Sequence, residues 1–207
     1  MESAPTVLIV DDDPSMREAV ASLIRSVGLE VGVFASSQDF LQSQRPDGPV
    51  CLILDVRLPG LSGLDLQREL SRSHSNLPII FITAHGDIPM AVSAIQAGAV
   101  GFLTKPFRDQ ELLDAVRTGI ERDRDWRRRE ADAAEAGKAF ATLTPREREI
   151  LGLVVSGKVT KQIAAGLGIS EITVKVHRGQ VMRKMKAKTL ADLLNMVGRL
   201  EAYTSVH

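Results

Sequence analysis

Hydrophobic and polar positions along this chain follow two regimes. Over roughly the first 120 residues, short unbroken apolar runs alternate with longer segments whose apolar positions recur every three or four residues. The runs at 6–10, 50–54, 79–83 and 100–104 are too short for buried helices and are bounded by turn-forming residues, so they read as strands buried on both faces of a parallel sheet. Glu30 to Phe34 alternates, with Val31 and Val33 on one side, and supplies a fifth strand. Between the strands the pattern predicts a helix over 14–27 stopped by Gly28, and a short one capped by Ser36 or Ser37 that ends near Ser43. It predicts a third opened by Ser62 with Asp65 in a capping box, and a fourth opened by Asp87 and Pro89 that ends at Ala97-Gly98. A fifth is capped by Asp109 and carries Leu112, Leu113, Val116 and Ile120. Strict strand–helix alternation predicts a parallel sheet covered by helices on both faces.

Beyond Ile120 the chain becomes purely helical in pattern. No proline interrupts 110–136, and helix formers with close opposite charges predict that the fifth helix continues as a charged linker, broken at Gly137. The arginine run around Arg127 reads as a solvated helix face because acids intersperse it. Thr144-Pro145-Arg146-Glu147 is a helix start with N-cap, first-turn proline and capping box. That helix buries Ile150, Leu151, Leu153 and Val154 and stops at Ser156-Gly157. Thr160 is expected to cap a helix over 161–167. Gly168-Ile169-Ser170 makes a tight turn, with Ser170 as the N-cap of another helix over 171–185, and Thr189 with Asp192 opens a last one bearing Leu190, Leu193, Leu194 and Val197. Two short helices around a glycine-containing turn form a helix-turn-helix. The expected division is 1–120, a linker helix 121–140, and 141–207.

Charge sharpens that division. The net charge of the 207 residues is zero, but 15 acids against 9 Lys and Arg leave the first 120 at −6, while 5 against 11 leave 141–207 at +6. Between Gly157 and Lys188 stand eight Lys or Arg and one acid, Glu171, an electrostatic footprint for phosphates. A hydrophobic content of 44% with 25% charged residues is ordinary for a globular protein. No stretch approaches the length of a membrane span, and Met1-Glu2-Ser3-Ala4-Pro5 lacks the basic and apolar regions of a secretory signal. Cys51, the single cysteine, lies in a predicted buried strand and reads as a small core residue, so the expected location is the cytoplasm, without a membrane partner.

The candidate chemistry gathers at strand ends. Asp55 closes the run Val50-Cys51-Leu52-Ile53-Leu54, and Asp11-Asp12-Asp13 follow the first strand. Open α/β sheets bind ligands at this edge. Crowded carboxylates repel one another, and a hard cation such as Mg2+ relieves the repulsion. Asp13 before Pro14 reads first as a helix cap. Thr83 and Lys105 end two further strands and bring a hydroxyl and an ammonium to the same edge, which completes a phosphoryl-transfer constellation.

In this order the residues resemble the receiver domain of two-component response regulators. The resemblance implies a five-stranded flavodoxin-like sheet in the order 2-1-3-4-5. It implies that Asp55 accepts a phosphoryl group from a cognate histidine kinase. Mg2+ would be held by Asp12, Asp55 and the backbone carbonyl of Arg57, with Asp11 acting through a water. Lys105 and Thr83 would contact the phosphoryl group, Phe102 would be the aromatic switch, and Lys105-Pro106 would be cis.

The segment from Leu143 to Leu194 resembles the LuxR-type helix-turn-helix of the FixJ/NarL class, within it the FixJ- and StyR-like branch. The residues that carry this are Leu143-Thr144-Pro145-Arg146-Glu147-Arg148-Glu149-Ile150-Leu151, Lys161-Gln162-Ile163-Ala164 and Thr173-Val174-Lys175-Val176-His177-Arg178. Val174, His177, Val181 and Met185 share an inward face, while Thr173, Lys175, Val176, Arg178 and Gly179 face outward. The resemblance implies that Lys175 and Val176 reach base edges in the major groove and Arg178 bases or phosphate, with Lys158 and Lys161 on phosphate and Thr173 also among the DNA-binding residues. Gly179 departs from the pattern where some relatives carry lysine.

The expected function is a transcription factor, not an enzyme. Phosphorylation would pair two receivers into a homodimer through the fourth helix, fifth strand and fifth helix, and so place the basic domains on paired half-sites, with RNA polymerase as a further partner and activation as the outcome. Two alternatives compete with it. A DNA-binding regulator indifferent to phosphorylation would not need the complete acidic site. Asp11-x-Asp13 superficially matches aspartate-nucleophile phosphatases of the haloacid dehalogenase type, but no cap domain is visible and a basic helix-turn-helix has no purpose there.

Overall fold

The first sheet strand, β1 (Thr6–Val10), is buried along its whole length, as an unbroken apolar run demands of a central strand. It pairs in parallel with both β2 (Glu30–Phe34) and β3 (Val50–Asp55). β4 (Ile79–Thr83) and β5 (Gly101–Thr104) extend the sheet to the order 2-1-3-4-5. The computed structural model describes residues 4–73 and 75–204, with side chains as far as residue 200. The chain divides into two compact units, residues 1–127 and 128–207.

In the first unit, α1 (Pro14–Ser26) and the start of α5 (Asp109–Ala141) cover one face of the sheet. There Val20 and Ile24 of α1 and Leu112, Val116 and Ile120 of α5 pack on Ile9, Ile53 and Ile80. On the other face lie α2 (Ser37–Gln42), α3 (Gly63–Arg72) and α4 (Ile88–Gln96), with Phe40, Leu66 and Ala94 against Leu52, Leu54 and Phe81. The buried Gln67 amide donates to the carbonyls of Ala94 (3.2 Å) and Ala97 (3.3 Å), tying α3 to the end of α4.

Several local expectations are corrected. The fifth strand begins at Gly101 rather than Val100. Asp109 is the first helical residue of α5, not its cap; Glu111 reaches back to accept from the Arg108 N–H (3.3 Å). Asp109 instead places a negative charge in the first turn, where the helix dipole favours it. Gly137 does not break the helix, which runs on to Ala141. A glycine costs a helix only about 1 kcal/mol, and burial of Ala133, Ala136 and Ala139 around it outweighs that.

Arg127 is not a solvated arginine. Its guanidinium binds the Asp123 carboxylate (2.7 Å) and the Asp47 carbonyl (2.8 Å). Asp123 is itself buried and accepts from the Val50 N–H at the start of β3 (2.8 Å). This carboxylate, 73 residues away in sequence, satisfies a strand-end donor that burial would otherwise orphan. Gly119 has an equally specific role: a Cβ there would lie 2.5 Å from Cys51 Sγ, so the missing side chain lets α5 come close to β3 at this point.

In the second unit the end of α5 packs with α6 (Pro145–Val155), α7 (Thr160–Leu167), α8 (Glu171–Lys184) and α9 (Leu190–Thr204) around Leu143, Ile150, Ile163, Val174, Val181, Met185 and Leu193. Thr144 and Glu147 form the expected capping box (3.3 and 2.7 Å). Thr160 is not the cap of α7. Val159 occupies that position, its N–H bound by the Gln162 side chain (3.1 Å), and the Thr160 hydroxyl accepts from Arg178 instead (3.0 Å). Gly168 ends α7 in the left-handed region (φ 64°), and the Ser170 side chain caps α8.

The Lys184 ammonium, 2.6 Å from the buried Glu147 carboxylate, ties α8 to the start of α6 and with the Thr144 N–H lowers the Glu147 carboxyl to about 2.

Two predictions follow from these contacts. Gly119→Ala should destabilise the first unit by about 1–3 kcal/mol through overpacking, and Cys51→Ala should relieve most of that loss, both read by urea unfolding of the receiver segment. The Glu147 contribution is present in full above its ordinary 4.5 and is lost as the pH falls through about 2. Acid titration of the helical unit by circular dichroism should therefore show Glu147→Gln unfolding at a higher pH than wild type, with a flatter dependence between those values.

Candidate functional site

The β1–β3 and β3–β4 pairings align Val10 with Leu54 and Asp55 with Ile82, which brings the ends of these strands together. The chain then crosses the edge of the sheet as carboxylates. Asp11 is fully buried, Asp55 is buried, and Asp12 and Asp13 are exposed. Asp13 is used as the α1 cap, accepting from the Ser15 N–H (2.8 Å), as its place before Pro14 predicted. Asp11, Asp12 and Asp55 each offer an oxygen within 4.8 Å of the others. Three hard oxygen donors at that spacing fit Mg2+.

Lys105, after β5, is the counter-charge. Its ammonium is 2.7 Å from Asp11 Oδ2 and 2.6 Å from Asp55 Oδ2, and its backbone N–H donates to the Thr83 carbonyl (2.7 Å). The Lys105-Pro106 bond is cis. Burial pulls the ammonium down, but the hydrogen bonds to Asp11 and Asp55 carry it above its ordinary value. Burial raises the Asp11 carboxyl against the hydrogen bonds from Lys105 and the Asp13 N–H. Asp55 Oδ1 accepts from the Arg57 N–H (2.8 Å). Thr83 is buried and its hydroxyl accepts from the His85 N–H (3.3 Å). Together these residues line an open cleft of about 440 Å3. Phe102, half-buried, lies outside that lining, with its ring centroid 6.2 Å from that of Phe81.

Sequence reasoning missed four contributors. His85 lines the cleft. Arg17 of α1 donates to the Asp11 carbonyl (2.6 Å) and fixes the acidic turn. A Cβ on Gly63 would lie 2.2 Å from the Asp55 carbonyl oxygen, and one on Gly86 would lie 2.7 Å from the Phe102 ring. Both glycines follow sharp turns, a visible signal, but the backbone and ring that require them are set by tertiary structure.

In the helical unit Lys158, Lys161, Lys175 and Val176 are exposed, as is Gly179. Thr173 and Arg178 are half-buried, with Thr173 Oγ1 bonded to Ser170 Oγ (2.9 Å) and Arg178 to Thr160. His177 is half-buried beside the buried Val174 and Val181 face. Lysines on α7, on the turn before it and on the outer side of α8 give the helix-turn-helix a basic surface.

Comparison with known proteins gives this arrangement a family. Residues 7–117 match the response regulator receiver domain, and residues 141–197 match the bacterial regulatory proteins of the luxR family. Nodulation protein W of Bradyrhizobium diazoefficiens is 57% identical over 190 residues, 92% of this chain and 84% of that protein. Response regulator protein TodT of Pseudomonas putida is 46% identical over 200 residues, 97% and 88% of the two chains. The low-resolution structure of response regulator StyR matches with a TM-score of 0.81 at 46% identity, covering 95% of this chain and all of that one. The chain belongs to the response regulators, with a receiver domain followed by a LuxR-type DNA-binding domain. Among the described residues no helix is long and apolar enough to cross a membrane.

The two adjacent acids should separate in a metal titration. Asp12→Asn and Asp55→Asn should each weaken Mg2+ binding by at least about tenfold. Asp13→Asn, whose side chain serves the helix cap, should leave it within about twofold. Isothermal calorimetry of the three variants checks this.

Proposed function

We propose that this protein is a transcription factor switched by phosphorylation of Asp55. Its working parts are a receiver over 1–120, a connecting helix over 121–140 and a DNA-binding domain over 141–207. The observation that carries the reading is the bridge from Lys105 to both Asp11 and Asp55, in a cleft that also holds Asp12 and Thr83. A nucleophilic carboxylate, a cation within reach of it and a hydroxyl donor meet at one sheet edge, in a chain whose other unit carries a basic helix-turn-helix.

A carboxylate oxygen of Asp55 attacks the phosphorus of a phosphohistidine on the cognate histidine kinase. The new P–O bond forms as the P–N bond breaks, and the histidine nitrogen leaves with the electron pair. Asp12, Asp55 and the Arg57 carbonyl would hold Mg2+, with Asp11 acting through a water, and the ion would supply charge neutralisation at the phosphoryl oxygens. Lys105 moves from Asp55 onto the phosphoryl group as a point charge. The Thr83 hydroxyl turns to donate to it, and Phe102 follows inward beside Gly86.

The output is a homodimer. Ile88, Val92 and Ile95 stand exposed on α4, an apolar strip that pairing of two receivers would cover. Two basic domains then engage paired half-sites in the major groove. Lys158 and Lys161 contact phosphate, Lys175 and Val176 contact base edges, Arg178 contacts bases or phosphate, and Thr173 contacts the DNA beside them. The complex acts in the cytoplasm, with RNA polymerase as a further partner and activation as the outcome.

The experiment is a selection from random duplex DNA in Mg2+ with and without beryllofluoride. Enrichment of a paired motif only with the phosphoryl mimic is expected, and Asp55→Asn should abolish the difference. Equal enrichment in both arms would leave a DNA-binding regulator without the switch.

A further inference from the structure

Helix α8 has two apolar faces, and only one is explained by packing. Val174, Val181 and Met185 are buried in the helical core. On the opposite side Ile172 is 74% exposed and Val176 57% exposed. Positions 172, 175, 176 and 179 fall at helical spacing and form a single stripe of Ile, Lys, Val and Gly. No neighbour lies within 4 Å of a Cβ built at Gly179, so the stripe ends in open space. A lone exposed isoleucine needs no explanation. Two β-branched residues one turn apart are different when Lys175 stands between them and Lys158 and Lys161 are exposed in the same unit.

Resting on the DNA-binding reading above, we propose that Ile172, with Val176, forms an apolar reader for the 5-methyl groups of thymine in the major groove. The base edges of that groove present hydrogen-bonding atoms and one apolar group, the thymine methyl. Lysines that seat on the phosphates would bring the outer face of α8 to the groove floor. Ile172 lies on the first turn of α8, the part of a recognition helix that enters the groove first. Its branched side chain has no polar atom with which to read any other feature of a base. Lys175, between the two, supplies the hydrogen-bonding donor, and the missing side chain at Gly179 lets the backbone approach. Thymine specificity at two positions of each half-site thus comes from methyl burial, not from hydrogen bonds.

The test uses the full-length protein with Mg2+ and beryllofluoride on the duplex sites enriched by selection. Each thymine is replaced in turn by deoxyuridine, which deletes only the methyl group. At a contacted thymine, wild type should lose about fourfold in affinity, the worth of one buried methyl. Ile172→Ala should bind the thymine site more weakly but show less than a twofold response to deoxyuridine at the position it reads. Val176→Ala should lose its response at a different position. Deoxyuridine that leaves wild-type affinity unchanged everywhere would overturn the proposal and keep the DNA-binding reading. So would a response that is the same in wild type and both variants. Failure of wild type to bind any duplex would overturn the DNA-binding reading, and this inference with it.

Discussion

Two buried carboxylates facing one ammonium set the terms for the first unit. Desolvating Asp11 and Asp55 is costly, and the cost is offset by Lys105, which reaches both within 2.7 Å, and by the backbone N–H groups of Asp13 and Arg57. That reach depends on the sheet order. β1 and β3 must be neighbours for the two acids to converge, and the chain leaving β5 must lean across the end of β4, held by the Lys105 N–H on the Thr83 carbonyl. Any change of strand order would leave at least one charge buried without a partner. The arrangement is balanced for function rather than for stability. Two acids and one cation, with Asp12 close by, leave a negative excess of the kind a divalent cation relieves.

The rest of the unit fixes that cluster by close approach. Gly63 lets the start of α3 come within bonding distance of the Asp55 turn, its N–H donating to the Val56 carbonyl (3.0 Å), and Gly86 leaves room for the Phe102 ring. Gly119 does the same for α5 against Cys51. At the opposite end of β3, Asp123 holds the Val50 N–H. Strand β3 is therefore pinned at both ends, by Asp123 where it begins and by Lys105 where it ends in Asp55.

These features divide cleanly by how far apart in sequence their partners lie. The strands were legible because burial on both faces writes an unbroken apolar run, and the caps at Asp13, Ser62, Asp87, Thr144 and Ser170 because donor and acceptor are within three residues. The site acids, Thr83 and Lys105 were legible because strand ends in an alternating α/β pattern converge by topology. Gly137 and Arg127 misled for the opposite reason. A glycine in a charged helix reads as a break until the burial of Ala133, Ala136 and Ala139 is known. An arginine among acids reads as solvated until its partners, the Asp123 carboxylate and the Asp47 carbonyl, are known. Thr160 was misassigned because its hydroxyl answers to Arg178, eighteen residues on.

The second unit shows why helical periodicity alone underdescribes a recognition helix. A helix with apolar residues on both sides lacks a clean amphipathic stripe, and it cannot rely on its pattern to choose which face turns inward. The choice is made at its ends. Ser170 caps the first turn, Arg178 fastens the middle to Thr160, and Lys184 reaches the buried Glu147 carboxylate. Met185 then closes the core beneath. With the rotation of α8 fixed by these polar ties, Val174 and Val181 are committed to the interior, and Ile172 and Val176 are left outside. Their exposure forgoes burial that the core residues gain, and it leaves apolar surface on the outer side of the helix. The outer stripe of α8 is thus set by the cap at Ser170, the Arg178–Thr160 hydrogen bond and the Lys184–Glu147 ion pair together with burial of the inner face.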